Sequence, residues 1–398
     1  MSLALARDSA TATAIIAAIR AATGAGEGGL VLHEPRFRGN EWTYLKDCLD
    51  STFVSSVGAY VDRFERDLAA VTGARHAVAV VNGTAALHVA LLLAGVAPGD
   101  EVIVPTLTFI ATANAVSYCG AVPHFADSAM DTLGLDPDKL GRHLDSIVTR
   151  RDGQAVNRET GRRIAAIVPV HVFGHPADMA GIEAVAARFG ISVVEDATEA
   201  LGSLSGGRPV GATARLAVLS FNGNKVITTG GGGAILTDDP DLARRAKHMT
   251  TTAKVPHRWA YEHDMVGFNY RLPNLNAALG CAQLEQLPGF VASKRALAAR
   301  YADAFAGVNG VSLIREPAGT AGNYWLNAIL LDPELAGERD AILDATNAAG
   351  LMTRPVWNLM HGLAIYRDCP RMDLGVAEDL ARRIINIPSS AGLVPADG

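Results

Sequence analysis

Of the six lysines in this 398-residue chain, Lys225 has the setting best suited to covalent chemistry. It closes Ser220-Phe221-Asn222-Gly223-Asn224-Lys225 and precedes Val226-Ile227-Thr228-Thr229-Gly230, a stretch with no acidic neighbour. Lysines ordinarily lie on charged, solvated faces. The sequence around Lys46, Lys139, Lys247 and Lys294 reads that way, as helix surface. A partly desolvated lysine gives up its proton more readily and becomes a nucleophile toward aldehydes and ketones. Lys254, in Thr252-Ala253-Lys254-Val255-Pro256, is its rival.

Three other stretches bear on that lysine. In Val80-Val81-Asn82-Gly83-Thr84-Ala85-Ala86 an apolar run ends in small residues and a helix begins. Free amides and the macrodipole at a helix start attract anions such as phosphate; the plainer reading is an ordinary turn with Thr84 as N-cap. In Val193-Val194-Glu195-Asp196-Ala197-Thr198-Glu199 a carboxylate stands where a strand ends. That is the side of an open α/β sheet where ligands bind, and Asp196 reads equally as an N-cap. Gly267-Phe268-Asn269-Tyr270-Arg271-Leu272 is polar and aromatic just before a helix, and also reads as a plain loop. A lysine, an Asp at a strand end and a phosphate-holding helix start are together the parts that a pyridoxal phosphate site needs.

The elements that position these groups alternate. Helical spacing covers 59–72, with Val61, Phe64, Leu68 and Val71 on one face. Apolar strands are predicted at 76–81, 101–105, 122–125, 164–170 and 192–195, with helices at 84–95, 110–119 and 178–189. Short apolar strands between helices mean an α/β fold with a mostly parallel sheet covered on both faces. After the run 230–233 the pattern changes to helices at 242–248, 275–287 and 288–306, a strand at 324–331 and a helix at 335–349. This predicts an N-terminal helical segment, 1–57, joined to a large domain, 58–287, and a smaller α+β C-terminal domain, 288–398. Loops near 150–160 and 315–322 read as mobile.

Composition narrows the classes. Net charge is −6 and no run of five like charges occurs, which argues against a nucleic-acid groove or a polybasic membrane patch. No apolar run approaches the ~20 residues of a membrane span, and the N-terminus lacks the pattern of a signal peptide. Cys48, Cys119, Cys281 and Cys369 are far apart, so neither a disulfide framework nor a zinc site is expected. These features predict a cytoplasmic protein without a metal. Gly24, Gly26 and Gly29 match G-x-G-x-x-G but follow a predicted helix (10–22), so a dinucleotide site fails its context. His171 and His175 are separated by Gly174 and read as structural or substrate-loop residues; Arg271 and Arg354 suit either an anionic ligand or an ion pair.

Gly83-Thr84-Ala85-Ala86-Leu87-His88, Pro98-Gly99-Asp100-Glu101-Val102-Ile103-Val104-Pro105 and Thr108-Phe109-Ile110-Ala111-Thr112-Ala113-Asn114-Ala115 resemble the DegT–StrS family of nucleotide-sugar aminotransferases. So do Glu195-Asp196-Ala197, the segment ending at Lys225, and Gly267-Phe268-Asn269-Tyr270-Arg271. His33-Glu34-Pro35-Arg36-Phe37, Ser51-Thr52-Phe53-Val54-Ser55-Ser56-Val57-Gly58, Thr250-Thr251-Thr252-Ala253-Lys254-Val255-Pro256-His257 and Asn386-Ile387-Pro388-Ser389-Ser390 resemble one branch of it, the aminotransferases of legionaminic-acid-type pathways. The resemblance implies fold type I of the pyridoxal phosphate enzymes. It implies amino transfer, with pyridoxamine phosphate as the intermediate cofactor form, from glutamate to C4 of a nucleotide-linked 4-keto-6-deoxy-N-acetylhexosamine in nonulosonic-acid or surface-glycan precursor synthesis. UDP and GDP remain equally open as the nucleotide.

The same resemblance implies roles. Lys225 matches the Schiff-base lysine, Asp196 the partner of the pyridine nitrogen, and Phe109 the aromatic stacked on the ring. Gly83, Thr84 and Ser220 match phosphate contacts. Asn269 matches an Asn that reaches the cofactor of a neighbouring subunit, so a homodimer is implied. Glu199 departs from many relatives, which carry Gln or His facing the phenolic oxygen; an ionised Glu there would repel a phenolate. An offshoot that removes a sugar hydroxyl has His in place of the lysine, which Lys225 argues against. Four alternatives stay open: an aminotransferase on another nucleotide-linked keto-sugar, a fold type I lyase, a silent binding protein and a Rossmann dehydrogenase.

Overall fold

Seven strands make the main sheet: β1 (His76–Val80), β2 (Glu101–Pro105), β3 (Val122–Ala126), β4 (Ile164–Ile167), β5 (Ser192–Asp196), β6 (Leu216–Ser220) and β7 (Gly233–Thr237). The computed structural model describes residues 10–394. The spatial order is β1-β7-β6-β5-β4-β2-β3. β7 is antiparallel to both neighbours and every other pairing is parallel. The C-terminal ends of β1 through β6 therefore share one edge, where turns into helices gather polar side chains. This is the α/β, mostly parallel architecture expected from the sequence. β6 and β7, five residues each, were not foreseen from the sequence.

Helices α1 (Ala10–Thr23), α2 (Glu41–Ser51), α3 (Ala59–Thr72), α4 (Gly83–Leu93), α5 (Ala111–Tyr118), α6 (Pro137–Ile147), α7 (Met179–Phe189), α8 (Pro240–Thr250), α9 (Asn274–Phe305), α10 (Arg339–Ala348) and α11 (Gly375–Arg383) surround the strands. α4 is apolar nearly all round and correspondingly buried over almost its whole length. In α3, Val61, Phe64 and Leu68 are buried as the spacing predicts, but Val71 is 40% exposed and Thr72 turns inward in its place. The two helices expected at 275–287 and 288–306 are the single α9, which continues through Pro288. α9 packs against α1, α2 and α3, and that tertiary contact offsets the N–H that Pro288 removes from the helical ladder.

A second, antiparallel sheet joins Val311–Leu313, Asn327–Leu331, Ile384–Ile387 and Arg354–Pro355, in that order. Its core includes Leu297, Tyr301, Ile329, Ile342 and Ile385, and α1 contributes Ile15 and Ile19 to the same cluster. α1 thus packs on this second sheet, whose other face, with Ala328, Val356 and Ile384, joins the cluster that holds Ala79 and Leu219 of the main sheet. The segment expected as a mobile loop near 150–160 includes an antiparallel hairpin, Val148–Arg151 with Gln154–Asn157. Asp152 and Gly153 turn it with φ of 50° and 77°, the left-handed pair that a tight two-residue hairpin turn requires. No helix among the described residues is long and apolar enough to cross a membrane.

Lys294 corrects the reading of the lysines. It is fully buried on α9, where Nζ donates to the Trp325 carbonyl at 3.2 Å and to the Ser389 carbonyl. Burial brings its amine down to about 7.

Candidate active site

A cleft of about 320 Å³ opens at the C-terminal edge of the main sheet. Gly83, Thr84, Phe109, Asp196, Glu199, Ser220 and Lys225 all line it. These residues come from the ends of four strands, β1, β2, β5 and β6, so the topology assembles them. Asn269 does not line the cleft; it is exposed and bridges Thr251.

The turn after β1 builds one end of the cleft. Asn82, not Thr84, caps α4, its Oδ1 accepting the Ala85 N–H at 2.7 Å. The Ala86 N–H bonds the Asn82 carbonyl. Gly83 and Thr84 N–H groups have no acceptor among the described residues, so two amides at the positive end of a helix face the cleft. Gly83 is required here by space. A Cβ on it would stand 2.9 Å from Ser220 Cβ and 3.2 Å from both Ser220 Oγ and Thr198 Cγ2.

Asp196 ends β5 and is buried. Thr112 Oγ1 donates to its Oδ2 at 3.0 Å, and the Thr198 N–H donates to its Oδ1 at 3.2 Å. Thr108 Oγ1 lies 2.9 Å from Thr112 Oγ1 and so supplies the hydrogen that orients it. Thr112, inside Thr108-Phe109-Ile110-Ala111-Thr112, is a site residue that the sequence alone does not mark. Thr108 stands two residues before the Ile110 N-cap and Thr112 in the first turn of α5, so the path of the 106–110 connection brings the two hydroxyls together.

Lys225 follows β6 in a tight turn, with its N–H donated to the Asn222 carbonyl at 3.0 Å. Its Nζ stands 3.7 Å above the Trp325 ring and 3.4 Å from Glu199 Oε1. Trp325 is fixed by Nε1 donating to the Asn224 carbonyl at 2.5 Å. Glu199 also accepts the Phe173 N–H at 2.9 Å through Oε2. Burial pushes the Glu199 carboxyl up, against the opposing pull of Lys225 and that N–H. Trp357 lines the cleft and lies 6.4 Å, centroid to centroid, from Phe109. Trp325 and Trp357 come from distant C-terminal sequence, where no local pattern marks them.

The remaining candidates lie elsewhere. Lys254 is exposed, 4.3 Å over the Tyr261 ring, and outside the cleft. His171 Nδ1 accepts the Ala177 N–H at 2.9 Å, so Nε2 carries the hydrogen that reaches Glu195 Oε1 at 3.0 Å. Glu195 also accepts the Gly211 N–H at 2.7 Å, which makes the pair a buried anchor for loops. His175 is buried with neither ring nitrogen partnered among the described residues, and burial holds it down at about 4. Arg271 pairs with Glu65 at 2.7 Å, and Arg354 bonds Asn347 Oδ1 at 3.0 Å.

Known proteins resemble nearly the whole chain. The profile of the DegT/DnrJ/EryC1/StrS aminotransferase family matches residues 35–397. A GDP-perosamine synthase of Caulobacter vibrioides is 39% identical over 365 residues, 91% of this chain and 94% of that protein. A putative pyridoxal phosphate-dependent aminotransferase, EpsN of Bacillus subtilis, is 34% identical over 368 residues, 92% of each chain. The structure of DesI with its TDP-sugar product superposes with a TM-score of 0.81 at 30% identity, covering 93% of this chain and 90% of that one.

Proposed function

The chain belongs to the DegT/DnrJ/EryC1/StrS aminotransferase family, and from that premise we propose that it moves an amino group from glutamate to C4 of a nucleotide-linked 4-keto-6-deoxy-N-acetylhexosamine. It is a fold type I, pyridoxal phosphate-dependent nucleotide-sugar aminotransferase. The finer substrate rests on the branch motifs of this chain. The Caulobacter relative's name favours a second reading, a GDP-linked keto-sugar.

The observation that carries the proposal is the convergence, in one cleft, of a lysine amine, a pinned carboxylate and two helix-start amides without acceptors. These residues fit pyridoxal phosphate. The Gly83 and Thr84 amides and Ser220 hydroxyl would take its phosphate, and a Cβ at Gly83 would press on Ser220 and Thr198 and displace that hydroxyl. Asp196 would hold a proton on its pyridine nitrogen, Phe109 would cover its ring, and Lys225 is its attachment point. When bound, the cofactor carries the amino group between substrates and takes up the electron pair released from carbon. Lys225 Nζ, when free, moves the proton from the donor's α-carbon, a service worth ~10²–10⁴-fold. Thr112 and Thr198 keep the Asp196 oxygens oriented. Asn269, outside its own chain's cleft, would serve a second copy; a fully active monomer in sedimentation would exclude that.

Purified protein is expected to convert glutamate and the UDP- or GDP-linked N-acetylated keto-sugar into 2-oxoglutarate and an amino sugar, read by mass spectrometry. Turnover confined to a GDP-linked keto-sugar without the N-acetyl group would replace this reading with the second. Gly83→Ala is expected to keep the helix, since alanine suits it, but to weaken cofactor binding about tenfold, ~1.4 kcal/mol. A spectroscopic cofactor titration measures this; unchanged affinity would remove the cradle argument.

A further inference from the structure

Glu199 is the cleft's remaining ionisable group, and the reaction above gives it no task. It is 4% exposed. Its Oε2 is held by the N–H of Phe173, a residue with φ of 58°, in the left-handed region that non-glycine residues rarely occupy. Such strain persists only where surroundings enforce it, and here it aims an amide at one carboxyl oxygen. The other oxygen, Oε1, is left facing Lys225 Nζ at 3.4 Å. That separation exceeds the 2.7–2.9 Å typical of a tight ammonium–carboxylate bond. On the other side of Nζ lies the Trp325 ring. The other titratable neighbours are Asp196, whose charge acts on Glu199, and His33, whose ring burial first and then Lys294 and Lys225 hold well below its usual range, and so neutral.

We infer that Glu199 and Lys225 share one proton, and that Glu199 takes it whenever the lysine amine must be free. The transfer breaks an N–H bond on Lys225 Nζ and forms an O–H bond on Glu199 Oε1. An ammonium and a carboxylate become an amine and a carboxylic acid, with the net charge of the pair unchanged. Charges out of water are costly, and with the Glu199 side chain 3% and the Lys225 side chain 13% exposed the neutral pair is accessible. The result is a nitrogen lone pair available at neutral pH without loss of a proton to solvent. A glutamine at this position would leave the ammonium no such acceptor. The role rests on the aminotransferase reading, since a lysine that reacted with nothing would need no acceptor.

The test is competitive acetylation of the full chain in its pyridoxamine phosphate form, where Lys225 is free. Acetic anhydride is applied from pH 6.5 to 8.5. Acetylation of Lys225 is read by peptide mass spectrometry against exposed Lys46. A pair sharing one proton between its two titration steps has a fixed fraction of free amine. Wild-type labelling is therefore expected to vary less than about twofold over this range, while in Glu199→Gln it rises roughly tenfold per pH unit below the amine's own pKa. A wild-type profile that itself rises about tenfold per unit would mean a fixed ion pair and would overturn the inference. Should the glutamine variant fail to fold, a rising wild-type profile still overturns the inference, and Glu199→Ala, which likewise removes the acceptor, takes its place as the comparison. The test also needs no sugar turnover: a flat profile in a protein inactive on keto-sugars would sink the proposed function and leave the shared proton standing.

Discussion

Lys225→Ala is expected to lower kcat by at least ~10³-fold, because it removes both the attachment point and the proton carrier. Lys225→Arg is expected to be equally inactive: it keeps the charge, but a guanidinium stays protonated and is neither nucleophile nor base. Neither variant should unfold. Without Lys225, Glu199 loses the neighbouring charge that opposes its upward shift, and a buried carboxyl in that position takes up a proton rather than remain a bare anion. The measurements are steady-state turnover with glutamate and keto-sugar, and borohydride reduction of the cofactor-loaded protein followed by peptide mapping. Wild type should carry cofactor mass on the peptide containing Lys225, and the variants on none. Full turnover in Lys225→Ala would shift attention to Lys254, although that amine lies outside the cleft, over Tyr261.

The part of the site legible in the sequence was the part written in short segments. Asn82-Gly83-Thr84, Asp196 and Lys225 each stand at the end of an apolar strand or just beyond one, and the sheet then brings them together. The cap was assigned one feature wrongly, since Asn82 rather than Thr84 occupies it. Trp325, which floors the lysine amine, lies a hundred residues away in sequence, and only the packing of the small unit against the turn 220–225 delivers it. Glu199 was visible as a departure from relatives, but its partner was not. Its position beside Lys225 depends on where two loops meet.

The fold shows the same division. Helix faces and strand positions with strong apolar periodicity were readable, and small errors arose where one residue decided the face, as with Val71 and Thr72. The 150–160 segment is polar, which reads as a mobile loop. Asp152-Gly153 between two short runs was the hairpin signal to weigh against that polarity. Lys294 was misread for a different reason. Ser293-Lys294-Arg295 has the composition of a solvated face, but Ser293 and Lys294 are buried and Arg295 alone pairs outward, with Glu316 at 2.6 Å. Which side of α9 is covered depends on the second sheet and on the segment around Ser389, neither of which is local information.

Lys294 should make this protein more stable as pH rises from 7 to 10, relative to Lys294→Met. Its amine titrates at about 7 in the fold and at ~10.4 in an unfolded chain. Between those values the unfolded chain binds a proton that the native protein does not. Stability then increases with pH, by up to ~1.4 kcal/mol per unit, and the contribution is lost as pH falls back toward 7. The full difference is about 4–5 kcal/mol. From pH 7.5 to 9.5 it amounts to ~2.7 kcal/mol, or roughly a 3 °C change in Tm for a chain of this size. The methionine variant keeps the volume and loses the titration, but it leaves the Trp325 and Ser389 carbonyls without their donor. Its absolute stability therefore mixes two effects, whereas the pH slope isolates one. Thermal scans at one rate across the pH series should show wild-type Tm rising against the variant's. Parallel curves would mean that Lys294 keeps its proton, its two carbonyl partners stabilising the ammonium against burial, and a buried charge would then stand beneath Trp325.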